Sequence, residues 1–245
     1  NQLILLKGAR VFELERLFKE LSLSNHESIL EINLKSIAHN ISIYKSLLNP
    51  STEIIAVVKA SAYGAGNFEI AHYIERLGIN YFAVAYQEEA IQLRNKGIQS
   101  KIIVLNTGLA EFDELLDNNI EPAIFSLQQI KRLLKEEGNR SRIGIHIKLD
   151  TGMRRLGFMQ EDIKELCSIL GNNPLLKVIS IFSHLSGSDS KEFDDFSRKQ
   201  LTEFEYLYNQ LTQTLGYYPL KHILNSGGIS RHPEFQMDMV RLGIG

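Results

Sequence analysis

The chain has 245 residues, 44% of them hydrophobic, with 27 Lys+Arg against 29 Asp+Glu and a pI near 6.4. That length and apolar content suffice for the core of one α/β barrel, while the balanced charge excludes a basic nucleic-acid binder and a polybasic membrane patch. Cys167 is the only cysteine, which excludes an internal disulfide and a thiolate metal cluster, and no apolar run approaches a membrane span, so a cytoplasmic enzyme without a metal is expected.

The first 25 residues stand apart. Residues 3–7 read as a strand, Gly8-Ala9 as a turn, 11–21 as an amphipathic helix and 22–26 as a short linker. The chain opens on Asn1 rather than Met and closes on Arg241-Leu-Gly-Ile-Gly directly after a strand-like segment. Neither end has the polar character of a natural terminus, so a piece of a longer polypeptide is expected, with a boundary near residue 25.

From about residue 30 the pattern alternates. Apolar runs at 53–58, 81–85, 101–105, 121–124, 144–149, 178–182, 221–224 and 239–242 predict strands. Between them, 34–48, 67–77, 87–96, 127–137 and 193–215 have helical periodicity. Continuously apolar strands imply a parallel sheet covered by helices, and eight of them would close a (β/α)₈ barrel whose site lies at the carboxyl ends of the strands. The competing fold is an open doubly wound sheet, but no Gly-x-Gly-x-x-Gly follows an early strand.

Four strand ends carry chemistry. Lys59 closes the first strand and is followed by Ala60, Ser61, Ala62, Gly64, Ala65 and Gly66, small residues that leave room for a flat cofactor, with the Tyr63 hydroxyl among them. Lys148, Asp150, Arg154 and Arg155 follow another strand and together suit anion or carboxylate recognition. His184 ends a third. His222-Ile-Leu-Asn-Ser-Gly-Gly leads from a late strand through a glycine-rich turn into a helix, a favoured phosphate site, and Gly243 would allow equally close approach of the backbone. Taken singly, each has a bland counterpart: an exposed strand-end lysine, a solvated charged turn, a structural histidine.

In order and spacing, Val57-Val-Lys-Ala-Ser-Ala-Tyr-Gly, Lys148-Leu-Asp-Thr-Gly-Met-Arg-Arg-Leu-Gly, Ser183-His-Leu, and Asn225-Ser ahead of Met239-Val-Arg-Leu-Gly-Ile resemble the alanine racemase family, of the fold-type III pyridoxal-phosphate class. The resemblance covers roughly residues 28–245. It implies pyridoxal 5′-phosphate as cofactor, L- and D-alanine as substrates in peptidoglycan synthesis, and a homodimer. It implies that Lys59 forms a Schiff base with the cofactor and acts as one of two catalytic bases. Tyr63, Asn225, Ser226 and the backbone of Gly243 and Ile244 would surround the phosphate. His184 would lie against the pyridine ring, Arg241 would face its nitrogen, and His222 would position Arg241. Arg155 would serve near the cofactor and the substrate carboxylate, with Lys148, often carbamylated in the family, as its support. The second base of the family is a tyrosine of a C-terminal β domain, which this chain does not reach, so residues 1–245 are expected to bind cofactor and racemise weakly or not at all. Ser61, Ala65 and Arg154 depart from the family's usual residues.

Residues 4–10 and 12–17 resemble the closing strand and helix of a Mur ligase, the one that adds D-alanyl-D-alanine to the muramyl tripeptide. The resemblance implies a bifunctional parent, with residues 1–25 as the ligase end and linker and 26–245 as the barrel. No Gly-x-x-x-x-Gly-Lys-[Ser/Thr] loop is present. Rival readings are a non-catalytic pyridoxal-phosphate-binding barrel, a related decarboxylase or D-threonine aldolase, and a scaffold.

Overall fold

Parallel strands and helices alternate along the chain and wrap into a barrel. The computed structural model describes residues 31–59, 67–108, 112–136, 138, 140 and 142–243. The strand, turn and helix expected within residues 1–25 lie outside them. The chain divides into two units, Asn1–Ile32 and Asn33–Gly245, and the elements that follow belong to the second.

The strands are β1 (Glu53–Val57), β2 (Tyr81–Val84), β3 (Lys101–Val104), β4 (Ile120–Ile124), β5 (Ile143–Lys148), β6 (Leu176–Phe182), β7 (Leu220–His222) and β8 (Met239–Leu242). All hydrogen-bonded neighbours are parallel, in the order β7-β6-β5-β4-β3-β2-β1-β8. The β7/β8 seam is bridged by Arg241 N–H donating to the Leu224 carbonyl at 3.0 Å and by Lys221 N–H donating to Asp238 Oδ2 at 2.7 Å. This is the (β/α)₈ barrel that the apolar runs predict, with each strand within two residues of its expected bounds.

The helices are α1 (Leu34–Leu47), α2 (Asn67–Arg76), α3 (Gln87–Asn95), α4 (Phe112–Asp117), α5 (Leu127–Leu133), α6 (Gln160–Asn172), α7 (Asp194–Leu215) and α8 (Ser226–Arg231). Local chemistry sets their ends. The Asn33 side chain accepts from the N–H groups of Lys35 and Ser36 at 3.0 and 3.2 Å, and Ser126 accepts from Gln129 N–H, satisfying amides that a helix start leaves free. Gly216, at φ +68°, ends the 22-residue α7 in the left-handed conformation that glycine adopts without strain. Helix α5 stops at Leu133, short of the expected 137, because the following Lys135-Glu-Glu run offers no apolar side chain to bury, and a short helix without packing is marginal. Helices α4 and α6 add to those read from the sequence, and α8 is the helix expected after the late strand, with Gly227 and Gly228 inside its first turn rather than ahead of it.

Alternate strand residues face inward, and the interior is divided by chemistry. Ile55, Ala83, Ile103, Ala123, Phe182 and Met239 form an apolar cluster, with Val57 and Leu105 packed against it. Beside it lie buried polar groups: His146, Ser180, His222 and Arg241. An irregularity between Ile145 and His146 shifts the β5/β6 register, so that His146 pairs with Ser180 and Lys148 with Phe182.

Candidate functional site

The inward alternation carries each strand to the barrel mouth, where a cavity of about 720 Å³ opens. Lys59, Lys148, Arg155, His184 and Arg241 line it, together with Asn225, Ser226 and Gly243. These are the strand ends singled out from the sequence, now brought into one space. Tyr63 and Ile244 lie outside the described residues. His222 is fully buried one layer below the cavity, against Arg241.

Arg241 is the most constrained of the cations. Nη2 donates to the carbonyls of Ser183 (2.6 Å) and Ile223 (3.0 Å), and Nη1 to His222 Nδ1 at 2.6 Å. The Phe182 ring stacks on His222 with centroids 4.8 Å apart and also packs under the guanidinium. Nε has no hydrogen-bond partner among the described residues. Burial lowers Arg241 to about 10, still far above neutrality, so the group is a permanent cation.

Its neighbours respond to that charge. Burial first, then Arg241, Lys148, Arg155 and Lys59, push His184 down to about 3, so the imidazole is neutral. Its Nδ1 sits 3.3 Å from Arg241 Nη2, and since the guanidinium has only donors, Nδ1 accepts. Burial, followed by Arg155 and Arg241, lowers Lys148 to about 8, which leaves an appreciable fraction as free amine near neutral pH. Among the described residues, none of Lys59, Lys148, Arg155 and Arg241 forms an ion pair with a carboxylate. The cavity therefore presents excess positive charge and suits an anion.

Asp150 and Arg154 do not join this cluster as the sequence reading grouped them. The Asp150 carboxylate accepts three backbone N–H groups, from Gly152, Arg154 and Arg155, at 2.8–2.9 Å. Arg154, at φ +53°, is exposed and borders a neighbouring surface pocket rather than the cavity. Short loop spacing forces this: a carboxylate so close in sequence meets its own turn's amides first.

On the phosphate-like side, Asn225 caps α8 by accepting from Gly228 N–H at 2.9 Å, and also accepts from the Ser188 hydroxyl at 2.7 Å. Ser226 Oγ accepts from Gly243 N–H at 3.0 Å. Gly227 also lines the cavity, and a Cβ there would meet Ser188 at 3.4 Å, so backbone is presented where most residues would place a side chain. Tyr86, Leu105 and Asn106 were missed by sequence reading. They follow β2 and β3, and in a barrel that position alone directs them to the mouth. Among the described residues no cluster of His, Cys, Asp and Glu could hold a metal ion, and no helix is long and apolar enough to cross a membrane.

Comparison with known proteins gives a consistent result. The model of the family described as "Alanine racemase, N-terminal domain" matches residues 32–245. An alanine racemase of Fusobacterium nucleatum is 38% identical over 222 residues, covering 88% of this chain and 59% of the relative. One from Thermodesulfovibrio yellowstonii is 40% identical over 222 residues, covering 87% and 58%. The crystal structure of alanine racemase from Corynebacterium glutamicum superposes with a TM-score of 0.81 at 30% identity, covering 87% of this chain and 61% of that one. The chain thus spans a little under three-fifths of the length of these curated relatives.

Proposed function

The chain belongs to the alanine racemase N-terminal domain family, and from that premise we propose that it is the cofactor-binding barrel of a pyridoxal 5′-phosphate-dependent enzyme that interconverts L- and D-alanine for peptidoglycan synthesis. The observation that carries this reading is the convergence of Lys59, Lys148, Arg155, His184 and Arg241 on one cavity, where the four cations outnumber the lining carboxylate of Asp189 and, among the described residues, none of them is ion-paired. The donor set fits the cofactor. Ser226, Asn225 and the backbone of Gly227 and Gly243 form a small-residue cradle for a phosphate, with Tyr63 and Ile244 assigned to the same end by the resemblance. His184, neutral and half-enclosed, offers a flat face to an aromatic ring.

When bound, pyridoxal phosphate withdraws electrons from the substrate α-carbon and makes its hydrogen exchangeable. Lys59 Nζ would be the amine that holds the cofactor and would hold or return the α-proton on one face. Arg155 pairs with the substrate carboxylate. Arg241 can only donate, so it would offer no acceptor for a proton on the pyridine nitrogen, which would favour simple proton exchange over decarboxylation or aldol cleavage. Lys148, as free amine, adds CO₂ with loss of one proton, giving a carbamate that pairs with Arg155.

A second base must act on the opposite face, and the reading assigns it to a tyrosine of a β-rich domain contributed by the partner in a homodimer; among the described residues Tyr86 is the tyrosine that lines the cavity. Residues 1–245 by themselves are accordingly assigned cofactor binding with weak or no racemisation. We further infer a Mur-ligase origin for residues 1–25, supported only by the likeness at 4–10 and 12–17.

The test is direct. Added pyridoxal phosphate should give the visible absorbance of a lysine-bound cofactor, lost in Lys59→Ala, and the protein carrying the second domain should interconvert the alanine enantiomers. Absorbance without turnover in that longer protein would favour a non-catalytic carrier; no absorbance would favour a scaffold.

A further inference from the structure

The polar half of the barrel interior is one continuous file of hydrogen-bonding groups. Glu121 Oε2 lies 2.8 Å from His146 Nε2, and His146 Nδ1 lies 2.7 Å from Ser180 Oγ. Ser180 Oγ lies 2.9 Å from His222 Nε2, and His222 Nδ1 lies 2.6 Å from Arg241 Nη1. The file crosses from β4 to β8, one residue per strand. Its three middle members are fully buried.

The order of donors follows from one end. A guanidinium has hydrogens and no available lone pair, so His222 Nδ1 must accept. Burial, followed by the charge of Arg241, holds His222 well below the ordinary histidine value, so the ring is neutral and its hydrogen is on Nε2. That hydrogen goes to Ser180 Oγ. The hydroxyl hydrogen of Ser180 then has one acceptor in the file, His146 Nδ1, which places the hydrogen of His146 on Nε2, facing Glu121. A cationic His146 would donate from both nitrogens and leave the buried Ser180 hydroxyl hydrogen without an acceptor in the file, which folded interiors avoid. At the far end, burial would raise Glu121, but the hydrogen bond from His146 and the charges of Lys101 and Arg94 oppose it and hold the carboxyl below its usual value. Every N–H and O–H therefore points the same way, from a buried cation to a partly exposed anion, and bonds in such a file polarise one another.

We propose that Glu121, His146 and Ser180 are positioning residues for Arg241. They fix the His222 tautomer that presents a lone pair to Nη1. With Nη1 held there and Nη2 held by the Ser183 and Ile223 carbonyls, Nε is the guanidinium donor left to the cavity. A His222 with its hydrogen on Nδ1 would face the guanidinium donor to donor and release it. The functional consequence rests on the reading of Arg241 as the residue that faces the cofactor's ring nitrogen.

The experiment has two arms. In the cofactor-free protein, long-range proton–nitrogen correlation of the histidine rings should place the hydrogen of both His146 and His222 on Nε2, with Nδ1 of each ring carrying a lone pair. Glu121→Leu and Ser180→Ala should each mix the His146 tautomers. Glu121→Gln, whose amide oxygen still accepts from Nε2–H, should restore the original pattern. In the second arm, pyridoxal phosphate affinity should fall roughly tenfold in the Leu and Ala variants and less than about threefold in Glu121→Gln. A cationic or Nδ1-protonated His146 in the unsubstituted protein would overturn the proposal, as would Leu and Ala variants with unchanged tautomers and affinity. If the unsubstituted protein binds no cofactor, the functional reading fails while the nitrogen spectra still decide the file. If it binds and all variants bind equally, the file fails while the functional reading stands.

Discussion

Asp150 holds the loop that delivers Arg155 to the cavity: its Oδ2 accepts Arg155 N–H at 2.8 Å while Oδ1 accepts Gly152 and Arg154 N–H at 2.9 Å. A three-donor carboxylate of this kind orders a turn that has little apolar burial of its own. Asp150→Ala should lower the melting temperature by about 3–6 °C, corresponding to one or two kcal/mol in a chain of this size. Asp150→Asn, which retains one acceptor oxygen, should lose about half as much. Thermal melts of the two variants check the ranking, and an Asn variant as unstable as Ala would refute it.

Gly157 closes the same loop where nothing larger fits. Its φ is +143°, and a Cβ would overlap the Asp150 nitrogen and the Leu149 carbonyl carbon. The close approach is enforced by a two-way backbone bridge, Asp150 N–H to Phe158 O and Phe158 N–H to Lys148 O, each 2.9 Å. Gly157→Ala should destabilise the protein by at least about 2 kcal/mol, because the clash is with backbone that cannot turn aside. Denaturant unfolding measures it; a loss within error of zero would mean that the loop opens freely.

How much of this was legible in the sequence follows from side-chain periodicity. Strand positions and the barrel were readable because eight apolar runs are continuous, and Lys59, Lys148, His184 and Arg241 were readable because they lie at the ends of such runs. His146 and Ser180 were overlooked although the signal was present: they precede Lys148 and His184 by two and four positions, so they share their inward face. A polar residue on the inward face of a barrel strand is a buried polar residue, and it needs a partner. The identity of that partner was not legible, since the register irregularity at Ile145/His146 sets it. The role of Asp150 was hidden for another reason: spacing cannot distinguish a carboxylate serving a ligand from one serving its own turn.

Two neutral histidines, His222 buried and His184 half-buried, should make the fold sensitive to acid. His184 is pushed to about 3 and His222 well below its ordinary value, burial being the largest cause in both. Both folded values are depressed, so the unfolded chain binds protons near pH 6.5 that the folded state refuses. Their contribution is complete above about pH 6.5 and is lost as pH falls from there, by about 1.4 kcal/mol per pH unit for each ring. His184→Asn should remove one such increment from the slope of stability against pH between about 6 and 4. Urea unfolding across that range tests it, and an unchanged slope would show that His184 is protonated in the folded protein.

Lys148 should show the complementary behaviour on the alkaline side. Its folded value is lowered to about 8 by burial, then by Arg155 and Arg241. Below that pH the folded state carries the buried charge at full cost. Stability should rise as pH climbs from about 8 towards the ordinary lysine value near 10.4, where the unfolded chain also loses its proton. Lys148→Met keeps the side-chain volume and removes the charge, so it should stabilise the cofactor-free protein near pH 7 by on the order of 2–3 kcal/mol. The advantage should shrink steadily as the pH is raised through that window. Bicarbonate should stabilise the unsubstituted protein and not the Met variant, because a carbamate on Lys148 replaces a repelled cation with a partner for Arg155. Paired denaturant titrations near neutral and alkaline pH, with and without bicarbonate, read both effects. Equal stability of the two proteins at neutral pH would mean that Lys148 meets no net repulsion from Arg155 and Arg241.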